Sequence, residues 1–135
     1  MLRKLFKFHG GVKPQTNKER STTAPIAAVP LPDRLVIPLH QAVGGHPRPL
    51  VQPGDRVFKG QRIGGADGNL SSAVHASTSG LVRDVAPAVM PHTSGLTTLS
   101  VIIEPDGEDR WGELDKVNYR STPPDELRDF LRDAG

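Results

Sequence analysis

An all-β domain, a small barrel or sandwich of short strands, is the fold class that these 135 residues predict. Glycine and proline are abundant, 14 and 13 residues, while apolar residues make up only 36% of the chain. That balance favours short strands joined by many turns over a helical bundle. Between Arg34 and about Pro105, short apolar runs alternate with turn residues at close spacing. Aromatic residues are only 4% of the chain, so the core is expected from Val, Leu, Ile and Ala. A chain of this length supports one core with tails, not two substantial cores.

Residues 1–33 read as an extended, basic and proline-rich arm. "FHGGVKPQTNKERSTTAPIAAVPLPD" has two glycines, four prolines and no sustained helical or strand period. Proline removes amide donors and glycine raises the entropy cost of ordering, so extended or polyproline-like backbone laid across a domain surface is expected. Residues 34–105 are the expected core. Its strands are "RLVIPL" (34–39), "DRVF" (55–58), "SAVHA" (72–76), "GLVRDVA" (80–86) and "TTLSVIIEP" (97–105). Pro53-Gly54, Gly64-Gly65, Asp67-Gly68 and Ser79-Gly80 punctuate them as turns. Residues 106–135 form an acidic segment that ends in a short amphipathic helix, about 123–134, leading to a following domain. Thr122 is the expected N-cap and Pro123 the first helical position, with Leu127, Phe130 and Leu131 on one face.

The formal net charge of +2 hides a gradient. Residues 1–20 hold six basic residues against Glu19, and residues 104–135 hold ten acidic residues against five basic ones. Such asymmetry steers association with a partner or an anionic surface, and solvated charge on both ends is the plainer explanation. The basic arm carries no RNA-recognition motif, zinc-finger spacing or recognition-helix pattern, which argues against nucleic acid. No cysteine is present, which removes disulfides, thiolate catalysis and iron–sulfur ligation from this stretch. The N-terminal "MLRKLFKFHGG" lacks an apolar run of signal-peptide length, and nowhere do about 18 apolar residues run together, so no transmembrane segment is expected and the stretch reads as cytoplasmic.

Other constellations are weak. His9, His40, His46, His75 and His92 show no close sequence pairing with acidic residues, so no metal site is expected. "GGADG" (64–68) lacks the Gly-Lys-Ser/Thr ending of a phosphate loop. "HASTSG" and "PHTSG" do not match a nucleophile elbow and read as polar turns at one end of the barrel, where "PHTSGL" could face a partner. No catalytic or cofactor-binding residue is assigned. The candidate positions are the structural turn residues Gly54, Asp55, Gly60 and Gly80, and a docking motif at Phe8, His9, Gly10 and Gly11, where adjacent glycines permit close approach and Phe8 offers an anchor.

"VQPGDRVFKGQRIG" (51–64) and "VHASTSGLVRDV" (74–85) together resemble the two halves of a lipoyl/biotinyl carrier domain. In those carriers a hairpin between the halves displays a modified lysine, and here "GADGNLSSA" (65–73) contains none. With the arm included, from "FHGGVKPQTNK" through "HTSGLTTLSVIIEPDGED" to the final helix, the chain resembles the N-terminal region of the C subunit of the Rnf-type ion-translocating oxidoreductase family. The resemblance implies a barrel-sandwich hybrid with an extended N-terminal arm and a short C-terminal helix. It implies a parent protein carrying two 4Fe-4S clusters and FMN in a following flavin- and NADH-binding domain and a ferredoxin-like segment, with no cofactor in this stretch itself. The implied role is non-catalytic scaffolding. The parent complex would transfer electrons between NADH and ferredoxin coupled to ion movement, with this subunit held peripherally on the cytoplasmic face of the bacterial inner membrane among the other subunits. Alternatives are a stand-alone biotinyl- or lipoyl-like carrier modified on another lysine such as Lys59, the A subunit of a related NADH–quinone reductase, and an adaptor domain of an efflux or secretion assembly.

Overall fold

The computed structural model describes residues 10–11, 14–68 and 70–135. The backbone divides into two compact units, 1–30 and 31–135. In the first, the described residues lack strands and contain one helical turn, α1 (Glu19–Thr22). The Ser21 and Thr22 hydroxyls both donate to the Lys18 carbonyl, which closes that turn locally.

The second unit holds seven strands and one helix. They are β1 (Leu35–Pro38), β2 (Arg48–Pro49), β3 (Arg56–Val57), β4 (Arg62–Gly65), β5 (Val74–His75), β6 (Gly80–Val89), β7 (Thr97–Pro105) and α2 (Pro124–Ala134). One antiparallel sheet runs β1-β7-β6-β3 and the other runs β2-β4-β5. Short strands of this kind cannot stand alone, so the sheets close on a shared core of Ile37, Leu39, Val57, Ile63, Val74, Ala76, Val82, Val101 and Ile103. The side-chain period of two decides which residues enter. On β7, Val101 and Ile103 are fully buried while the flanking Ile102 and Glu104 are not. On β1, Ile37 points inward and its neighbour Val36 outward.

Two pairs of backbone bonds lock the carrier-like halves together. Gly54 N donates to Val82 O and Val82 N to Asp55 O, both at 2.8 Å. Gly60 N donates to Ala76 O at 2.8 Å and Ala76 N to Gln61 O at 2.9 Å. The all-β barrel-sandwich class with a short C-terminal helix is the fold of this unit, and five of its strands fall on the apolar runs read from the sequence.

Three local expectations need correction. Gly64-Gly65 is the end of β4, paired with Pro49 and Arg48, not a turn. A Cβ on Gly64 would lie 2.8 Å from Leu39 Cδ2 and 3.2 Å from Val74 Cβ, so glycine is present for close packing. Gly80 opens β6, opposite Val57 and Pro105, so the bend lies before it at residues 77–79. A side chain there would collide with the Glu104 carbonyl oxygen. At α2 the N-cap is Pro123 and the first helical residue is Pro124, without a side-chain capping bond; the Thr122 hydroxyl lies back over the preceding turn, where it donates to the Asn118 carbonyl at 2.8 Å.

Candidate docking surface

The first functional question is whether the fold still presents a carrier hairpin. The β4–β5 loop occupies the place where a carrier displays its lysine, and the segment 41–47 clasps it. Gly45 N donates to Leu70 O at 3.0 Å, Arg48 pairs with Asp67 at 3.4 Å, and the Ser71 hydroxyl donates to Gly45 O at 3.4 Å. Any side chain at Gly44 or Gly45 would strike the carbonyl oxygens of Leu70 or Asp67. The imidazoles of His40 and His46 meet at the base of this clasp, with ring centroids 4.0 Å apart. Among the described residues no group of three His, Asp or Glu side chains assembles into a metal site.

Lys59 is not displayed either. Its ammonium lies 2.6 Å from Asp109 Oδ2 and 5.0 Å from the centroid of the Trp111 ring. Its backbone makes a parallel bridge with Trp111, through Lys59 N to Arg110 O at 2.9 Å and Gly112 N to Lys59 O at 3.0 Å. Lys59 is therefore a strut that holds the chain after β7 against the barrel.

The same strap, residues 106–112, is held by a polar latch. Thr78 and Ser79 are fully buried. The Thr78 hydroxyl donates to Asp109 Oδ1 at 2.9 Å and the Ser79 hydroxyl to Asp106 Oδ1 at 2.7 Å, while Arg110 N donates to Ser79 Oγ at 2.9 Å. The Ser79 hydroxyl, the Glu108 amide and the Arg110 guanidinium hold the Asp106 carboxyl down to about 2, well below its ordinary 3.8. The Lys59 ammonium, with the Thr78 hydroxyl, lowers Asp109 in the same direction. Every hydroxyl of this buried group is satisfied, so "HASTSG" is a structural anchor. Sequence reasoning missed it because its partners lie 27 and 31 residues away, beyond any local motif.

The candidate positions are spread out. Gly54 turns the chain at φ +97°, and Asp55 Oδ2 accepts from Gln52 N at 2.9 Å to close that turn. Gly60, at φ +78°, lies beneath Trp111 and Leu114, whose side-chain atoms would be 3.0 and 2.9 Å from a Cβ there. Gly80 lies under the Glu104 carbonyl. Gly10 and Gly11 are exposed with nothing within 4 Å of a Cβ position, and Phe8 and His9 lie outside the described residues. The turn "PHTSGL" is internally bonded, with Met90 N donating to Leu96 O at 2.9 Å and Ser94 N to His92 Nδ1 at 3.1 Å.

The strap and α2 together enclose a cleft of about 610 Å³. Trp111, Leu114 and Leu50 stay 62%, 52% and 56% exposed on it, and Phe130 of α2 lines it beside His75. The helix is tied down by Arg62 to Asp133 at 2.6 Å and by Ala73 N to Arg132 O at 3.0 Å. The α2 face expected to seek cover is thus only partly covered, since Phe130 is half-buried and Leu131 exposed. Chemically the cleft offers apolar contact and charge and no nucleophile–base pair. The chain's donor set contains no cysteine to hold an iron–sulfur cluster. Among the described residues, no helix is long and apolar enough to cross a membrane.

Residues 6–108 match the family described as the RnfC barrel sandwich hybrid domain. The C subunit of the ion-translocating oxidoreductase complex of Pseudomonas aeruginosa is 42% identical over 132 residues, covering 97% of this chain and 17% of that protein. The corresponding C subunits of Rhodobacter capsulatus and Serratia proteamaculans are 39% and 41% identical, covering 96% and 98% of this chain and 25% and 19% of theirs. This chain thus spans about a fifth of the length of the curated relatives it matches. A barrel with interlocked halves, a lysine-free clasped hairpin and a match across most of its length place the chain in the RnfC barrel sandwich hybrid domain family, the N-terminal domain of the C subunit of the ion-translocating oxidoreductase complex.

Proposed function

We propose that this chain is a docking and positioning domain of its parent protein, without catalytic chemistry of its own. It would hold the adjoining flavin- and NADH-binding domain against neighbouring subunits so that electron-transfer centres lie within tunnelling reach. In that role it serves electron transfer between NADH and ferredoxin coupled to ion movement, with the parent protein bound peripherally on the cytoplasmic face of the inner membrane. The observation that carries the reading is the contrast between its polar and apolar groups. Thr78, Ser79, Lys59, Asp106 and Asp109 are all spent on structural bonds, whereas Trp111, Leu114 and Leu50 remain exposed in one cleft. Exposed apolar side chains gathered in a cleft mark an interaction site. The "FHGG" motif is a second proposed contact, its two exposed glycines allowing a partner backbone to approach.

The test is deletion of residues 34–121 from the parent protein. Its flavin and iron content, and NADH oxidation with a soluble acceptor, are expected to persist, while co-purification with the rest of the complex is lost. An intact complex without these residues, or a stoichiometric yellow chromophore in the purified 135-residue chain, overturns the reading.

A further inference from the structure

We propose that the cleft between the strap and α2 is a groove for one kind of occupant, a basic amphipathic segment of a neighbouring protein in the complex. The proposal rests on the docking reading above and adds its location and the chemistry of its partner.

The floor of the groove is Gly60, and the absence of a side chain there lets Trp111 and Leu114 lie directly on backbone. Leu50 and Phe130 continue the apolar surface, and the volume of about 610 Å³ is in the range of preformed binding pockets. An indole half-exposed in a concave apolar setting is the residue type that dominates interface energetics. The walls are already rigid, because Lys59 pins Trp111 through backbone and ammonium contacts, and Arg62 pins α2 through Asp133. A partner therefore meets a preorganised surface and little ordering cost is added on binding.

Charge selects the partner. Glu113 and Asp115 line the groove, and among the described residues neither has an ion-pair partner within 4.0 Å, whereas eight other Asp and Glu side chains do. Residues 104–135, which build the strap and the helix, hold ten acidic residues against five basic ones in a chain whose net charge is +2. An apolar cleft with unpaired carboxylates at its edge favours apolar side chains flanked by Lys or Arg. It repels an anionic bilayer.

The test uses the parent protein in its assembled complex. A photo-crosslinking benzoylphenylalanine at Leu114 is expected to join a partner segment in which Lys or Arg flank apolar residues. Glu113→Lys with Asp115→Lys is expected to lower the partner recovered with the tagged parent by about tenfold, as two rim attractions become repulsions. Val89→Ser with Leu96→Ser, on the β6–β7 hairpin, is expected to leave recovery unchanged, and resistance of the barrel to limited proteolysis in the parent protein reports that each variant is folded. A crosslink to an acidic or neutral segment, a crosslink to lipid, no crosslink, or full recovery with the charge-reversed pair overturns the groove. If the groove variant assembles normally while deletion of the whole domain does not, docking stands at another face. If deletion also leaves the complex intact, the docking reading falls with it.

Discussion

Thr78 and Ser79 are small polar residues buried as completely as the valines of the core, and their hydroxyls are the reason the strap sits where it does. Ser79→Ala leaves the carboxylate of Asp106 and the amide of Arg110 short of one partner, and a loss of about 1–3 kcal/mol in chemical denaturation is expected. Asp106 makes the latch pH-dependent. Its folded pKa is about 2 and its ordinary value 3.8, so its contribution is fully present above about pH 4 and disappears as the pH falls toward 2. Denaturation midpoints measured between pH 6 and pH 2 are expected to fall for the native chain. Asp106→Asn lowers stability at pH 6 and flattens that fall. Lys59 has a separate reporter, because Trp111 is the only tryptophan in the chain. Lys59→Ala removes the ion pair with Asp109 and the cation over the indole, and a change in tryptophan emission intensity and wavelength is expected without loss of the strand signal in circular dichroism.

At the scale of elements, the strands that read from sequence are those with alternating or continuous β-branched residues. β7, with Val101, Ile102 and Ile103 in succession, and β1, with Val36 and Ile37, are of this kind. β2 and β4 did not read, for opposite reasons. β2 is two exposed residues, one of them Pro49, with no apolar pattern to see. β4 is half glycine, and a pair of adjacent glycines carries a turn signal unless the neighbours that fill their space are known. The two kinds of glycine separate in mutation. Gly54 has open space and a positive φ, so Gly54→Ala is expected to cost about 1–2 kcal/mol from backbone strain alone. Gly80→Ala meets the Glu104 carbonyl at the end of the β6–β7 pairing and is expected to cost about 1–3 kcal/mol from overpacking, read as a lower midpoint of thermal unfolding. A core truncation sets the upper end of the scale, with Ile103→Ala expected to cost about 2–5 kcal/mol.

For the whole molecule, charge and apolar exposure are distributed unevenly. The barrel uses Thr78, Ser79 and Lys59 to fasten the strap, and Leu50, Trp111 and Leu114 stay exposed along one cleft. A scaffold that in carriers presents a mobile lysine here presents a loop held by Gly45, Arg48 and Ser71. Purified as 135 residues, the chain is expected to be colourless in the flavin region and free of iron by elemental analysis, since its donor set lacks cysteine.

By itself the sequence determined the β class, the carrier-like halves, the absence of thiol chemistry and the family. Composition, turn residues and apolar runs are local properties, and a missing lysine or cysteine is legible without coordinates. The candidate surface was hardly legible. Lys59, Thr78 and Ser79 acquire their roles from Asp106, Asp109 and Trp111, which are tens of residues away in the chain and adjacent only once β6 and β7 pair. Leu50, Trp111, Leu114 and Phe130 come from separate segments that share no period. Only the closure of the two sheets brings them to one cleft, because long-range contact, not local propensity, is what places side chains from distant segments side by side.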